Sequence, residues 1–355
     1  MYFTSDNASG VPAPVLDALA RANEGFAPSY GADPLMDEVR AHIRRLFEAP
    51  EAAVYLVATG TAANALALAT HCPPWAAVYC TPIAHIEEDE CGAPEFYTGG
   101  AKLVHVPGAD GKMDAEALAT RLAGAASVGV HNVQKGMVSL TNLTEAGTRY
   151  SPAEIAALSA VARAHGLPVH LDGARFANAL VAEGCTPAEM TWRAGVDVLS
   201  LGGTKNGLMG VEAVVIFDPT RAWEFELRRK RGGHLFSKHR FLSAQMAAWL
   251  KDDLWRDLAR HANAAAERLE AGLAAVPGTG LLYPRGGNML FATLPRAAHA
   301  RARAAGAQYY PWPHDQPEDG PDDGEISVRL VASWCTQPQD VDGFLAALQG
   351  QHAPV

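Results

Sequence analysis

The sequence predicts an α/β protein built on a mostly parallel sheet, and three observations predict it. Between residues 53 and 141 short apolar runs alternate with helical stretches, the pattern of strands joined by crossover helices. Further apolar runs at 168–171 and 196–201, with a helix-like segment between them, continue the series. The stretch SPAEIAALSAVARAHG (151–166) is a helix with both ends marked. Ser151 is its N-cap, Pro152 its first residue, Glu154 the partner in a capping box and Gly166 its stop.

In chain order, residues 1–12 read as a short polar arm, and the first domain is expected to start at residue 15. Helical periodicity covers 15–23 and 35–47, where Leu35, Val39, Ile43 and Leu46 share one face. The loop GFAPSYGADP (25–34) lies between them with an aromatic at its tip. Then come strand 53–57, helix 62–70, strand 77–80, helix 88–96, strand 102–106, helix 114–122 and strand 137–141. A glycine-rich turn joins the apolar runs 196–201 and 211–217. After Pro219 the character changes, and EFELRRKRGGHLFSKHRFLSAQ (224–245) concentrates basic residues. That run is either a solvated helix face or a positive lining near a phosphate or carboxylate. A long helix over 246–276, strands within 283–294 and 325–333, and a helix over 341–349 form the remainder. The acidic, Pro- and Gly-containing stretch 314–325 reads as a mobile loop. The expected division is an arm (1–14), a large domain (15–245) and a small C-terminal α+β domain (246–355).

The 355 residues are ample for a sizeable core, and 48% hydrophobic with 19% charged residues is ordinary for a globular protein. A formal charge of −10 argues against nucleic acid or an anionic membrane as partner. No apolar run approaches the ~18 residues of a spanning helix. The start MYFTSDNASG lacks the charge and apolar stretch of a signal peptide. Five scattered cysteines fit reduced thiols better than a disulfide framework, so a cytoplasmic location is expected. His71, Cys72, His85 and Cys91 lack CxxC or HxxxH spacing, so no metal is expected.

The chemistry centres on Lys205 in VLSLGGTKNGLMGVEAVVIF (198–217). Strand, glycine turn, lysine and strand deliver an amine from a loop into a cleft. Small apolar neighbours disfavour the ammonium and leave a nucleophilic amine, as a Schiff base requires. Taken alone, Lys205 is equally a surface lysine in a glycine-rich hairpin. Upstream, LPVHLDGARFANAL (167–180) places Asp172 at the carboxyl end of a strand, where open α/β sheets bind ligands. Its structural alternative is a helix N-cap. Together the two match pyridoxal phosphate, which needs a lysine for its aldehyde and a carboxylate for its pyridinium nitrogen. AVYLVATGTAANALALAT (53–70) adds a seat for the phosphate. A helix start offers free N–H groups and a positive dipole end at Gly60, Thr61 and Ala62. Gly60 admits close approach, and the Thr61 hydroxyl is a further donor.

These segments resemble the L-threonine aldolase family of fold-type-I pyridoxal enzymes, within the aspartate-aminotransferase-like fold. The similar stretches are SDNASG (5–10), YGADP (30–34), ATGTAAN (58–64), AHIEEDECGAPEF (84–96), HLDGARFANA (170–179), GGTKNG (202–207) and RLVASW (329–334). Their wording is nearest the bacterial low-specificity branch. The resemblance implies a large domain with a mostly parallel mixed sheet flanked by helices, plus a smaller α+β domain. It implies pyridoxal phosphate on Lys205 and cleavage of L-threonine, L-allo-threonine or phenylserine-like amino acids to glycine and an aldehyde. His85 would stack on the cofactor ring and take the β-hydroxyl proton, directly or through water. An imidazole pKa of about 6.5 suits that task; a packed loop histidine is the alternative. Arg175 and Arg329 would bind the substrate carboxylate, with Ser5 adding a hydroxyl, and Arg175 could serve the phosphate instead. Arg228 or Arg229 would add positive charge to the cofactor site, and Tyr30 would reach it from a neighbouring subunit. A homo-oligomer, dimer or dimer-of-dimers tetramer, is therefore expected.

One departure stands out. Many family members carry a second active-site histidine after the strand 137–141, where this chain has Thr144-Glu145, and His131 lies on the wrong side of that strand. Two other readings compete: a β-eliminating lyase or aminotransferase on the same fold, and a catalytically silent pyridoxal-binding protein.

Overall fold

The computed structural model describes residues 1–351. Seven strands form the main sheet: β1 Ala53–Val57, β2 Ala76–Cys80, β3 Lys102–His105, β4 Gln134–Thr141, β5 Val169–Gly173, β6 Val198–Gly202 and β7 Glu212–Ile216. Their order is β1-β7-β6-β5-β4-β2-β3. Strands β3, β2, β4, β5 and β6 run parallel, and β7 is antiparallel to both its neighbours. Strands β1, β2, β5, β6 and β7 are buried at every position, as expected of strands covered on both faces.

The flanking helices are α1 Ala13–Ala22, α2 Pro34–Leu46, α3 Gly60–His71, α4 His85–Glu88, α5 Ala93–Thr98, α6 Ala115–Gly124, α7 Pro152–Ala164, α8 Phe176–Glu183, α9 Ala222–Arg231 and α10 Arg240–Leu250. Helix α3 is buried along nearly its whole length. Its alanine-rich sequence lets it lie close against the sheet. The capping box of α7 is present in full, with Ser151 and Glu154 bonded to each other's backbone.

Helix α11 Leu254–Leu273 leads to a four-stranded sheet, order β10-β11-β9-β8, with β8 Gly280–Leu281, β9 Met289–Pro295, β10 Tyr310–Pro311 and β11 Glu325–Val331. Helices α12 Arg296–Ala304 and α13 Pro338–Gln349 pack on it. Phe3 belongs to this second core, its ring 5.3 Å from that of Phe344. The N-terminal arm is thus not merely polar: one buried aromatic fastens it to the small sheet.

Two expected helices are broken. The stretch 88–96 divides into α4 and α5, because Cys91 (φ 51) and Gly92 (φ 71) adopt left-handed backbone. The helix expected over 246–276 is α10 and α11, separated at Asp252 (φ 52) and Asp253 (φ 63). The boundary expected at residue 245 therefore falls inside α10. The core changes along α11 instead: Leu258 and Ala259 pack in the main core, Ala266 and Leu269 in the small one.

Candidate active site

The carboxyl ends of β1, β2, β4, β5 and β6 share one edge of the main sheet, and β7 begins there. Register places Thr141 beside Asp172, Asp172 beside Ser200, and Gly202 beside Glu212. At this edge lies a cleft of about 380 Å³ lined by Gly60, Thr61, Asn64, His85, Glu145, Asp172, Lys205 and Glu212, among others. The topology has gathered side chains from six separate stretches of chain.

Lys205 sits in the single 3-10 turn Thr204–Asn206 that follows β6. Gly202 and Gly203 are obligatory here. A Cβ on the first would stand 2.3 Å from the Ala174 carbonyl oxygen, and on the second 2.6 Å from that of Val211. The turn is fastened on several sides. Gly203 N–H donates to Glu212 Oε2 at 2.7 Å, and Val211 N–H to Thr204 Oγ1 at 3.2 Å. Asn206 donates to the Trp255 carbonyl at 2.7 Å, and Trp249 to the Asn206 carbonyl at 2.9 Å. Burial pushes the Glu212 carboxyl up to about 7, against the pull of Thr204, Gly203 and the Lys205 charge.

Asp172 belongs to a buried polar network. Its Oδ2 accepts from Asn64 Nδ2 at 2.8 Å, and its Oδ1 from the Ala174 N–H at 3.0 Å. The second bond is a turn within the loop and not a helix cap, because the N-cap position of α8 is Arg175 and carries no side-chain bond. Asn64 Nδ2 also donates to Glu90 Oε1 at 2.9 Å, the same oxygen that lies 2.9 Å from His85 Nδ1. That hydrogen bond from Glu90 raises the His85 pKa, and it outweighs burial. Burial also raises Glu90, whose Oε2 has no partner. His85 is the first residue of α4, and the break before α5 brings Glu90 back beneath it.

At the other end of the cleft α3 begins. Thr59 caps it, its Oγ1 accepting from Ala62 N–H at 3.1 Å, which leaves the Gly60 and Thr61 amides as the free donors of the first turn. The Ala62 amide is thereby committed to the cap, and among these three residues only Gly60 and Thr61 line the cleft.

Arg175 does not stand free. Its Nε and Nη2 donate to Asp6 Oδ2 and Oδ1 at 2.7 and 2.9 Å, a bidentate pair buried from solvent. Burial raises the Asp6 carboxyl, but the charges of Arg175 and Lys205 and two hydrogen bonds outweigh it and hold Asp6 below its ordinary value. The arrangement fixes the Nε–Nη2 edge of the guanidinium. Arg329, on β11, donates from Nη2 to the Thr4 carbonyl at 3.2 Å, while its buried Nε has no partner. Burial, then the neighbouring Arg175 charge, lowers its pKa. Ser5 caps the single turn that carries Asp6, its Oγ accepting from Asn7 N–H at 3.2 Å.

Ser5, Arg175 and Arg329 meet around the N-terminal arm without lining this cleft, and three further expected site residues lie elsewhere. Arg228 pairs with Glu224 at 2.7 Å and lines a separate surface hollow with Phe96 and Tyr97. Arg229 is buried over the Tyr55 ring at 4.9 Å and donates to the Leu56 carbonyl at 3.2 Å. Tyr30 is half exposed beneath Lys230, whose Nζ is 4.8 Å from the ring centre. None of the three lines the cleft of its own chain.

Sequence reasoning missed Asp6, Asn64, Glu90 and Glu212. Glu90 follows the acidic residues Glu87, Glu88 and Asp89 and nothing in sequence sets it apart from them, yet it is buried. Glu212 offered one signal, a lone acid opening an apolar strand. Glu145, noted only as standing near the place of a histidine, lines the cleft; burial raises its carboxyl against the pull of Lys205, His85 and Arg175. His131 lies in a short exposed turn before β4.

Comparison with known proteins agrees with this geometry. The model of the beta-eliminating lyase family matches residues 3–293. A low-specificity L-threonine aldolase of Pseudomonas aeruginosa is 40% identical over 96% of this chain and 94% of its own. Another from a Pseudomonas species is 38% identical over 98% and 96%. Among solved structures, a threonine aldolase of Leishmania major superposes with a TM-score of 0.90 at 32% identity, covering 98% of both chains. The serine palmitoyltransferase of Sphingomonas wittichii, 16% identical with a TM-score of 0.71, shares the fold alone. With its sheet, its cleft and its sequence all in agreement, the chain belongs to the beta-eliminating lyases and, within them, to the low-specificity L-threonine aldolase family.

Proposed function

We propose that this protein is a pyridoxal-phosphate lyase cleaving L-threonine, L-allo-threonine and related L-β-hydroxy-α-amino acids, phenylserine-like ones included, to glycine and an aldehyde. One observation carries the reading: an amine (Lys205), a carboxylate (Asp172) and an imidazole (His85) converge on one cleft whose far end is a helix N-terminus. The residues fit the cofactor. A Cβ at Gly60 would meet no protein atom within 4 Å, so space rather than packing surrounds the amides that would hold a phosphate. Asp172 faces the same space with both oxygens already oriented by donors.

When bound, the cofactor supplies an electron sink for the pair left at Cα as Cα–Cβ breaks. The chain's own residues do the rest. Before the substrate amine takes its place Lys205 would hold the cofactor's carbonyl carbon, and Asp172 would keep a proton on its ring nitrogen. His85 takes the β-hydroxyl proton, with Glu90 fixing the ring through Nδ1. Arg175, braced by Asp6, and Arg329, with its unpartnered Nε, receive the substrate carboxylate beside Ser5.

The protein acts as a homo-oligomer, dimer or tetramer. Trp75, Phe96, Trp223 and Leu227 are large apolar side chains exposed on the single chain, which supports an interface between copies. Tyr30 and Arg228, which miss the cleft of their own chain, would serve that of a neighbour, whereas Arg229 is buried within its own chain. Five unpaired cysteines support a cytoplasmic location. Incubating the cofactor-loaded protein with L-threonine tests the activity: glycine and acetaldehyde should appear in equal amounts. Ammonia with a keto acid would instead indicate β-elimination, and no turnover of any β-hydroxy amino acid would leave a binding protein.

A further inference from the structure

The Asn64 side chain stands between two groups of the proposed chemistry and has no part in it so far. It lies in α3, is buried and lines the cleft. Its Nδ2 donates to Asp172 Oδ2 at 2.8 Å and to Glu90 Oε1 at 2.9 Å, so both amide hydrogens are spent. Turned the other way, the amide would set its oxygen against two carboxylates, so these partners fix which atom is nitrogen. The same Glu90 oxygen meets His85 Nδ1 at 2.9 Å. An unbroken path therefore runs Asp172–Asn64–Glu90–His85, from the carboxylate assigned to the cofactor nitrogen to the imidazole assigned as base. Two carboxylates within reach of one nitrogen repel, and buried like charges drive one of a pair to take up a proton. Both Asp172 oxygens and Glu90 Oε1 already have partners. Glu90 Oε2 has none among the described residues, so it is the place for that proton. The amide opposes this by giving each carboxylate a hydrogen. Glu90 shows the balance: burial raises its carboxyl most, the His85 and Asn64 hydrogen bonds lower it, and the Asp172 charge raises it again.

We propose that Asn64 is a positioning residue that couples Asp172 to His85: bridging Asp172 and Glu90, it keeps both carboxylates ionised, so the two ends of the path depend on each other. The inference deepens the proposed function and rests on the roles given there to Asp172 and His85. Without the bridge a proton settles on Glu90 Oε2. A neutral Glu90 no longer supports an imidazolium, so His85 gives up its proton at lower pH. Asp172 meanwhile keeps one donor, the Ala174 N–H, in place of two. The charged groups that face His85 are Glu90 and Asp89 beside α4, Asp172 of β5, Glu145 of the loop after β4 and Lys205 of the turn after β6. Among the described residues only Glu90 is hydrogen-bonded to the ring, so the effect of Asn64 on His85 runs through Glu90.

Two measurements test it. In the first, His85 is modified with diethyl pyrocarbonate, which takes the neutral imidazole, across a pH series with and without cofactor. The modified peptide is quantified by mass spectrometry. The onset should fall at lower pH in Glu90→Gln and in Asn64→Leu, which keeps the branch at Cγ and donates nothing. The double variant should fall no lower than Glu90→Gln alone. An onset that stays put or rises in Asn64→Leu overturns the proposal. In the second, kcat/KM for L-threonine is measured for Asp172→Asn, Glu90→Gln and both together, in wild type and in Asn64→Leu. With the bridge present, the double variant should depart from the product of the single effects by at least about threefold, as groups in one hydrogen-bond network do. Without it the departure should shrink to within about twofold. Equal departures in the two backgrounds overturn the coupling and leave Asn64 a structural clamp. If Asp172→Asn and Glu90→Gln each leave glycine production unchanged, the roles of Asp172 and His85 fall first, and the proposal with them. Should Asn64→Leu not fold, Asn64→Ser, with one hydrogen for two carboxylates, takes its place under the same outcomes.

Discussion

At Lys205 a single covalent bond is at stake, and its absence is easy to read. Lys205→Ala should give a folded protein with no borohydride-reducible pyridoxal adduct. One Asp172 oxygen accepts from the Ala174 N–H and the other from Asn64, and the electronic role proposed for it is separable from that structural one. Asp172→Asn should keep some cofactor yet lose far more turnover than binding; unchanged glycine production would leave it the structural role alone. His85→Asn should lower cleavage by about 10²–10⁴, the usual worth of a positioned general base. If the ring only stacks, His85→Phe should restore activity, so near-wild-type cleavage by that variant would remove the assignment. The Glu90 hydrogen bond stabilises the imidazolium and raises the His85 pKa, so the base becomes active only as the pH rises past that raised value. Glu90→Gln should therefore move the acid limb of kcat/KM to lower pH, a shift that simple loss of packing would not give.

Three central strands share a buried polar seam. Ser139 of β4 contacts His170 Nδ1 at 2.9 Å, and Ser200 of β6 contacts its Nε2 at 3.0 Å, so the β5 histidine is laced to both neighbours. Full burial keeps the imidazole neutral, its pKa lowered from 6.5 to about 4. On acidification the unfolded chain takes up the proton first. Stability from this group is therefore complete above pH 6.5 and is lost as the pH falls towards 4, by about 3 kcal/mol at most. Denaturant titrations at a series of pH values should show that loss, and His170→Asn should flatten it. His239, also lowered to about 4 by burial and by the nearby Arg229 charge, adds a similar slope of its own. At this scale the sequence marked β5 and β6 as buried strands by their apolar runs. It did not mark His170 as their link, because a histidine inside an apolar strand looks the same whether its neighbours offer hydroxyls or not.

The whole molecule ties its two cores together through the N-terminal arm. The arm inserts Phe3 into the small core and Asp6 against Arg175, while Arg329 reaches from the small sheet to the Thr4 carbonyl. A ligand carboxylate between Arg175 and Arg329 would bridge both units. Cofactor binding should raise the unfolding free energy by ~2.7 kcal/mol at a hundred times its dissociation constant, readable as a higher Tm of the loaded protein. Phe96→Glu places a charge in the exposed apolar hollow beside Tyr97 and Arg228. In sedimentation it should shift the protein towards smaller species. An unaltered profile would place the interface elsewhere.

By itself the sequence determined the parts that depend on neighbours along the chain. Alternating apolar runs defined the strands, Ser151 and Glu154 announced α7, and Gly202-Gly203 around Lys205 marked a turn too tight for side chains. Asp172 could be placed at a strand end, and so at a ligand edge, without any coordinates. Tertiary structure alone decided the pairings. Glu90 meets His85 because α4 stops at Asp89 and the chain turns back there, and Asp6 meets Arg175 where Phe3 anchors the arm. It also decided that Arg228, Arg229 and Tyr30 lie outside the cleft of their own chain, a matter of which way α9 and a loop are turned. The physical reason is one of range. Propensity, capping and glycine sterics act over a few residues, whereas a charge finds its partner across 169 residues of sequence in the pair Asp6 and Arg175.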